Sequence, residues 1–218
     1  MAGAYGPVAS RGMVVAAGIR IACALLALVL LAGCGNDDRD RQNIARTLRT
    51  TLTTTDPAVL CGETLSSGLI ARVYGGDQRC NAVERGSAGT RRPPAAVEVS
   101  GIKIDGDRAS ASVAVRGGDQ DGVRGALTVV RQDGGWRLDD LSTAFLRSSF
   151  DAGLKSGGDL EGALVACLGK KVVTLDDAAL RALAFGAMGG RPEAQQQLRG
   201  LVGECVAAFG APAGGQSA

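Results

Sequence analysis

Between residues 97 and 138, apolar side chains recur at every second position in short runs that are separated by turn residues. Period two is the spacing of a strand that buries one face, whereas a helix repeats its apolar residues every three or four positions. Asp105-Gly106 is a strong hairpin signal, and Asp133-Gly134-Gly135 turns the chain again before Trp136. Four short strands joined in this way make an antiparallel meander.

The first of these runs changes phase within itself. Apolar residues occupy odd positions up to Val99 and even positions from Ile102 onward, with Ser100-Gly101 between them. A one-residue slip would turn every later side chain to the opposite face of the sheet. A β-bulge at Ser100-Gly101 is therefore predicted, because one extra residue returns the apolar set to the same face.

Helical spacing precedes and follows the strands. Ile44, Leu48 and Leu52 are four residues apart and predict one apolar helix face. Beyond Leu141 the spacing is helical again, with Asp159 as a candidate N-cap. Thr174 with Asp177 resembles a capping box. In the last predicted helix, six residues at helical spacing form one apolar face: Leu198, Leu201, Val202, Cys205, Val206 and Phe209.

A short apolar segment, residues 21–32, stands near the start of the chain. It is shorter than the about 20 residues that a spanning helix needs, and it fits the core of a signal peptide. Arg11 and Arg20 supply the positive charge expected before such a core. The alternatives are an uncleaved anchor or an internal apolar helix, but the charged run that follows at residues 37–41 disfavours the internal helix.

The four residues Leu31-Ala32-Gly33-Cys34 resemble a bacterial lipobox. The resemblance implies cleavage before Cys34 and transfer of a diacylglyceryl group to its thiol, with acyl chains such as palmitate as the anchor. We therefore expect a protein that is tied to the outer face of the cell membrane, because two acyl chains anchor durably where one does not. Met13 would give the signal peptide a more usual length than Met1.

Four cysteines remain after Cys34, namely Cys61, Cys80, Cys167 and Cys205. An even number in an exported protein predicts disulfides, and four cysteines allow three pairings. Cys61–Cys80 and Cys167–Cys205 are favoured, because each pair lies within one block of similar composition. Buried free thiols are the alternative, and a redox-active pair is disfavoured because no Cys-X-X-Cys spacing occurs.

The chain contains no histidine, and this excludes the commonest catalytic and zinc-binding chemistry. Residues 1–33 hold two of the 24 basic side chains and none of the 22 acidic ones, so the remaining chain is formally neutral. With a single Trp and no basic stripe, nucleic acid is not an expected partner. No cofactor and no metal site are predicted.

The stretch from about Asp40 to Leu141, which ends in Asp133-Gly-Gly-Trp-Arg-Leu-Asp139, resembles the nuclear transport factor 2-like (cystatin-like) lipoproteins of bacteria. The resemblance implies that helices pack into the concave face of the sheet and leave a cone-shaped pocket. The pair Cys61 and Cys80 ahead of the sheet also fits the lipoprotein members. For residues 142–209 no family resemblance is recognised.

The predicted fold class is α+β, with N-terminal helices on a curved four-stranded antiparallel sheet and a disulfide-clipped helical region after it. The predicted organisation is a lipoprotein signal peptide at 1–33, a lipidated tether at 34–43, a cone-like domain at 44–141, a helical region at 142–209 and a disordered tail at 210–218.

Polar residues that suit such a pocket are few. Asp139 and Asp140 are a candidate acid and base, although a turn or a helix cap is their commoner use. Arg91-Arg92 can hold an anionic ligand or lie in a solvated linker. Tyr74 and Trp136 are expected to pack in the protein.

Two functions are open. The favoured hypothesis is a non-catalytic binding or accessory module for a small apolar ligand or an envelope protein, and the alternative is an enzyme that uses a carboxylate in the cone. A pocket lined only by aliphatic residues favours binding, whereas a buried Asp or Glu in it favours catalysis. A purely structural lipoprotein, with the cone filled by side chains, is a third reading.

Overall fold

The computed structural model describes residues 37–156 and 162–210. The predicted signal peptide, Cys34, the cap at Asp159 and most of the predicted tail lie outside the described residues. The chain divides into a unit Met1–Arg41 and a unit Gln42–Ala218, and the features below belong to the second, apart from residues 37–41 at the start of the first helix.

Eight helices and four strands make up the described part of the chain. The first four helices are α1 (37–53), α2 (Pro57–Val59, continued by a π-helical turn Leu60–Thr64), α3 (Ser67–Tyr74) and α4 (Asp77–Ser87). The strands are β1 (Ala96–Asp105), β2 (Arg108–Arg116), β3 (Arg124–Gln132) and β4 (Gly135–Leu141). The last four helices are α5 (Thr143–Ser156), α6 (Gly162–Thr174), α7 (Asp177–Met188) and α8 (Pro192–Gly210). The part of the predicted tether that the structure describes, from residue 37, is already helical.

The strands form one antiparallel sheet in the order β1-β2-β3-β4, so the predicted meander and the α+β class are confirmed. The predicted bulge is also present. Ser100 pairs with Ser112 and Lys103 with Ser110, which leaves Gly101 and its neighbour opposite a single residue of β2. Gly101 has a φ of 60°, a left-handed conformation that glycine adopts without steric cost.

One face of the sheet packs against helices from both ends of the chain. The core includes Ile44 and Leu48 of α1, Val129 of β3, and Leu180 and Ala184 of α7. Helices α3 and α5 contact the sheet directly. Helices that precede the strands in the sequence and helices that follow them thus share one core.

Glycine at position 125 allows the closest of these contacts. A Cβ atom there would lie 2.5 Å from the backbone nitrogen of Phe145, at the start of α5. Only a residue without a side chain lets α5 approach β3 this closely.

The helices after the sheet differ from the prediction in two details. The N-cap of α7 is Asp176, whose carboxylate accepts from the backbone N–H of Ala179 at 2.7 Å. The predicted capping box is therefore wrong, because Thr174 is the last residue of α6 and its hydroxyl donates to the carbonyl of Lys171 at 2.8 Å. A bonded Thr174 hydroxyl at the end of one helix is not free to cap the next.

Helix α8 buries a narrower face than its spacing predicts. Cys205 is fully buried, but Val206 and Phe209 expose 53% and 52% of their surface. The covered residues of α8 are Ala194 and Cys205, which are buried, and Leu198 and Leu201, which are half-buried. The covered face therefore keeps three of the six predicted residues, and Val202, Val206 and Phe209 are exposed.

Two disulfides join the pairs that the sequence analysis favoured. Cys61 and Cys80 are linked with a Cα–Cα distance of 6.1 Å, and Cys167 and Cys205 with 5.9 Å. The first ties α4 to the π-helical turn after α2, and the second ties α8 to α6. Loops of this size contribute about 3 to 4 kcal/mol on the chain-entropy model.

Candidate ligand-binding cavity

A cavity of about 590 Å³ lies between the sheet and the helices. Its volume falls within the range of about 300 to 1,000 Å³ that is typical of small-molecule sites. Most of its wall is apolar and comes from α1, α3, β4, α5 and α7, including Leu52, Leu69, Leu138, Phe145, Phe150 and Met188.

Polar side chains gather in one part of this wall, around the buried carboxylate of Glu84. The hydroxyl of Tyr74 donates to Oε1 of Glu84 at 2.6 Å. Arg91 donates to Oε2 through Nη2, and the same nitrogen donates to the hydroxyl of Ser87 at 2.9 Å. Both oxygens of the carboxylate are therefore engaged by groups of the protein.

The local fold explains how Tyr74 and Glu84 meet. Helix α3 ends at Tyr74 because Gly75 adopts a left-handed conformation with a φ of 81°. Helix α4 begins at Asp77 after only two intervening residues, and it folds back beside α3. The Cys61–Cys80 disulfide holds α4 one turn before Glu84.

Burial raises the pKa of Tyr74 far above its usual range, and the adjacent Glu84 carboxylate raises it further. Arg91 opposes this shift, but it is the smallest of the causes. Tyr74 is therefore a fixed hydrogen-bond donor at any physiological pH. A carboxylate next to a guanidinium and a hydroxyl is compensated, which is the condition for burying its charge.

Gln120 lines the same cavity, and its position is set by a surface ion pair. Its neighbour Asp119 accepts from the backbone N–H and from Nε of Arg92, both at 2.8 Å. These bonds hold the pKa of Asp119 below its usual value. Because Arg92 follows Arg91 in the sequence, the ion pair between Arg92 and Asp119 places the neighbouring Gln120 close to the polar part of the cavity wall.

The side-chain oxygen of Gln120 is buried and has no hydrogen-bond partner among the described residues. Most buried polar atoms in folded proteins have one. Gln120 thus differs from the satisfied groups around Glu84.

The arginine candidates separate in the structure. Arg91 lies against the cavity and is paired with Glu84, whereas Arg92 lies on the surface and is paired with Asp119. Trp136 is buried in the core, as expected, with the guanidinium of Arg131 4.4 Å from its ring centre. The cavity therefore receives one of the two adjacent arginines, and that one is neutralised.

Asp139 and Asp140 belong to β4 itself and do not cap a helix. Asp139 is the extra residue of a second bulge, since Thr128 pairs with Asp140 and Val129 with Leu138. Its carboxylate accepts from the hydroxyl of Ser66 at 2.6 Å, and Asp140 pairs with Arg181 at 2.5 Å.

The contacts of the Asp139 and Asp140 carboxylates hold parts of the fold together. Ser66 is the N-cap of α3, so Asp139 fixes the start of that helix against the sheet. Arg181 belongs to α7, so Asp140 fixes that helix against β4. Neither residue lines the cavity. The paired-carboxylate hypothesis for Asp139 and Asp140 has no support from their placement.

Sequence reasoning missed Glu84, although a signal was present. Cys80, Glu84 and Ser87 follow steps of four and three, which is the spacing of one helix face. A cysteine expected in a disulfide marks that face as buried. The helix α4 was not predicted, because its other residues are mostly polar.

A larger groove of about 920 Å³ lies between α5 and α6. Its Arg147 is already bonded to the protein, donating to the carbonyls of Val172, Val173 and Leu175 at 2.8 to 3.1 Å. These carbonyls belong to the end of α6, where a helix leaves acceptors unsatisfied. The guanidinium of Arg147 therefore has a structural role in this groove.

Within residues 37–156 and 162–210, no group of three or more acidic or cysteine side chains is placed to hold a metal ion. None of the helices in the same part of the chain combines the length and the apolar character needed to cross a bilayer. Comparison of the chain with protein-family models, with curated proteins and with solved structures gave no match.

Proposed function

We propose that this protein is an extracytoplasmic lipoprotein, anchored through Cys34, whose cavity binds a small and mainly apolar molecule without transforming it. We also propose that the sheet and the helices against it form the cone of a nuclear transport factor 2-like domain. The signal-peptide pattern supports the anchor, and the antiparallel sheet with helices on one face supports the cone.

The observation that carries the binding function is the composition of the cavity wall. Aliphatic and aromatic side chains from five elements form most of it, and the charged pair within it is self-satisfied. Apolar walls with a few placed polar groups are typical of small-molecule sites. Glu84 is bonded on both oxygens, so it is poorly disposed to exchange a proton with a ligand.

A catalytic role is the second candidate, and one observation favours it. Glu84 is 7% exposed and lies in the cavity beside a tyrosine, which is the buried carboxylate that a cone enzyme requires. Activity would have to break one of its bonds to Tyr74 or Arg91 first. The binding function needs no such rearrangement, and we prefer it for that reason.

Titration of the purified protein with N-phenyl-naphthylamine, an uncharged apolar fluorophore, tests the binding function. Ala187 lines the cavity, and Ala187→Phe should weaken binding at least tenfold by filling the space. Ala207→Phe on the exposed side of α8 is the matched control and should leave binding unchanged. Equal affinity in both variants would refute the cavity as the binding site.

The intact mass of the membrane-extracted protein tests the anchor. We expect a chain that begins at Cys34 and carries acyl groups, and a Cys34→Ser variant that lacks them. A chain that retains an unmodified Met1 would contradict the proposed export and anchoring.

A further inference from the structure

We propose that the groove between α5 and α6 is a second binding site, which takes a single-chain anionic amphiphile such as a fatty carboxylate. The site is distinct from the cavity of about 590 Å³ and takes a ligand of different charge. Phe150 and Leu154 line both spaces, so α5 stands between them. Three features of the groove lead to the proposal: an apolar surface, two cations without protein partners and an acid that is already paired.

The groove has the room and the apolar surface to hold an acyl chain. Its volume of about 920 Å³ lies within the range of about 300 to 1,000 Å³ for small-molecule sites. Both helices supply apolar residues to its wall, Phe150 and Leu154 from α5 and Val165 and Val173 from α6. Val173 exposes 68% of its surface, more than any other large hydrophobic residue that the structure describes. A hydrocarbon chain in the groove would remove this surface from water, which is favourable.

Arg124 and Lys170 place positive charge on two walls of the groove. Both residues line it and both are exposed, and within residues 37–156 and 162–210 neither side chain has a hydrogen bond or an ion pair. Arg124 begins β3, and its backbone N–H donates to the hydroxyl of Ser148 at 3.0 Å, which fixes it beside α5. Lys170 belongs to α6. The two cations therefore come from different elements and remain available to an anion.

The acidic residue of the wall does not cancel these charges. Asp151 accepts from Nζ of Lys155 at 2.6 Å, one turn further along α5, so its carboxylate is already paired. The wall keeps the charges of Arg124, Arg147 and Lys170. An anionic headgroup meets a complementary charge in this groove, whereas an ammonium group is repelled.

Arg147 removes a feature that would otherwise repel an anion. Helix α6 ends at Thr174 in the groove, and the carbonyl end of a helix carries partial negative charge. The guanidinium of Arg147 donates to the carbonyls of Val172 and Val173 at 3.1 and 2.9 Å. The end of α6 is therefore neutralised by a cation that is itself part of the wall.

The chain and the headgroup of the ligand have different roles in this site. Exposed charge pairs contribute little affinity each, so burial of the chain supplies most of it. Arg124 and Lys170 then decide which headgroup is accepted. A short anion without a chain should bind weakly for this reason, and a long-chain cation should bind poorly.

Isothermal titration with decanoate, decylammonium and acetate tests the proposal. The purified full-length protein is used at neutral pH in one nonionic detergent, and the partition of each probe into that detergent is subtracted. Decanoate should bind about tenfold more tightly than decylammonium, and acetate should show no measurable binding. The preference for decanoate should shrink at high salt, because exposed charges are screened.

Two double variants locate the site. Arg124→Gln with Lys170→Gln should weaken decanoate binding about tenfold. Arg85→Gln with Arg199→Gln is the matched control, since it removes two exposed helix arginines that do not line the groove, and it should leave the affinity unchanged. Equal losses in the two double variants would mean that net charge and not the groove attracts the anion.

The cavity provides the remaining comparison. Decanoate at saturating concentration should leave N-phenyl-naphthylamine bound, because the two ligands occupy different spaces. If decanoate displaces the fluorophore, or if decylammonium binds as tightly as decanoate, the second site is refuted while the binding function of the cavity stands. The wild-type series alone decides the matter should the groove variant not fold.

Discussion

The hydroxyl of Tyr74 lies 2.6 Å from Oε1 of Glu84, and this bond joins the last residue of α3 to the last turn of α4. Both side chains are buried, with 6% and 7% of their surface exposed. Arg91 closes the other side of the carboxylate from the segment that leads into β1. One buried charge therefore connects three consecutive parts of the chain at the wall of the cavity.

Replacing Glu84 with Gln should lower the free energy of unfolding by about 1 to 3 kcal/mol, because the half-buried Arg91 loses its charged acceptor. Chemical denaturation measures the change. Glu98→Gln is the control, since Glu98 also pairs with an arginine but lies on the exposed face of β1. That substitution should change stability by less than about 0.5 kcal/mol. Equal effects of the two substitutions would show that Glu84 is not the buried link described above.

The raised pKa of Tyr74 predicts that the protein loses stability at alkaline pH. In the unfolded chain its hydroxyl ionises near pH 10, whereas burial and Glu84 raise the pKa in the folded protein well beyond that value. Above pH 10 the unfolded state therefore holds fewer protons at this site than the folded state does. The stabilisation that Tyr74 provides is therefore fully present and independent of pH below pH 10, and it falls by up to about 1.4 kcal/mol per pH unit above pH 10.

Unfolding free energies of the wild-type protein and of Tyr74→Phe, compared between pH 9 and pH 11, measure this slope. The Phe variant should be less stable at pH 9, where the hydrogen bond is lost, and should have the shallower decline above pH 10. The lysines and the other tyrosine cancel in the difference. Parallel pH profiles would contradict a raised pKa at Tyr74.

The sheet could be predicted from the sequence because its signals are local. The bulge at Gly101 follows from a phase change within one strand, and the hairpin at Asp105-Gly106 from two residues. Disulfide pairing was predictable for a similar reason, since each pair closes a loop within one block of the chain. Such features depend on short stretches of chain and can be predicted without knowledge of the tertiary structure.

The polar part of the cavity wall was not predictable in this way. Glu84 is buried because Tyr74 and Arg91 satisfy it, and those contacts form only when α4 folds back on α3. The exposed face of α8 was mispredicted for a related reason. Val206 and Phe209 have the same spacing as the buried Cys205, but only the packing of α8 on α6 and α7 in the folded chain decides how far around the helix the covered face extends.

Two glycines, Gly189 just after the end of α7 and Gly200 within α8, should respond oppositely to replacement by alanine. At Gly189 a Cβ atom would lie 2.0 Å from the carbonyl oxygen of Val73, so α7 and α3 would have to separate. Gly189→Ala should cost about 1 to 3 kcal/mol, the range for overpacking. Gly200 in α8 has open space around it, and Gly200→Ala should instead stabilise by about 0.5 to 1 kcal/mol.

Denaturant midpoints of the two variants decide this prediction. A loss of stability in Gly200→Ala as large as in Gly189→Ala would mean that helix composition, and not the contact with Val73, sets the outcome. Arg191 donates to the same carbonyl at 3.2 Å, so Gly189→Ala should also disturb that bond.

The two disulfides should contribute similarly to stability but differently to binding. Replacing either pair with alanines should cost about 3 to 4 kcal/mol, because both close loops of moderate length. The Cys61–Cys80 bond holds α4 one turn before Glu84, so its loss should also weaken N-phenyl-naphthylamine binding several-fold. Removing Cys167–Cys205 should leave the affinity unchanged, since neither cysteine lines the cavity. Chemical denaturation of the two double variants measures the loss of stability, and fluorescence titration measures the loss of affinity. Equal losses of affinity in the two variants would show that the cavity depends on the stability of the whole fold and not on the placement of α4.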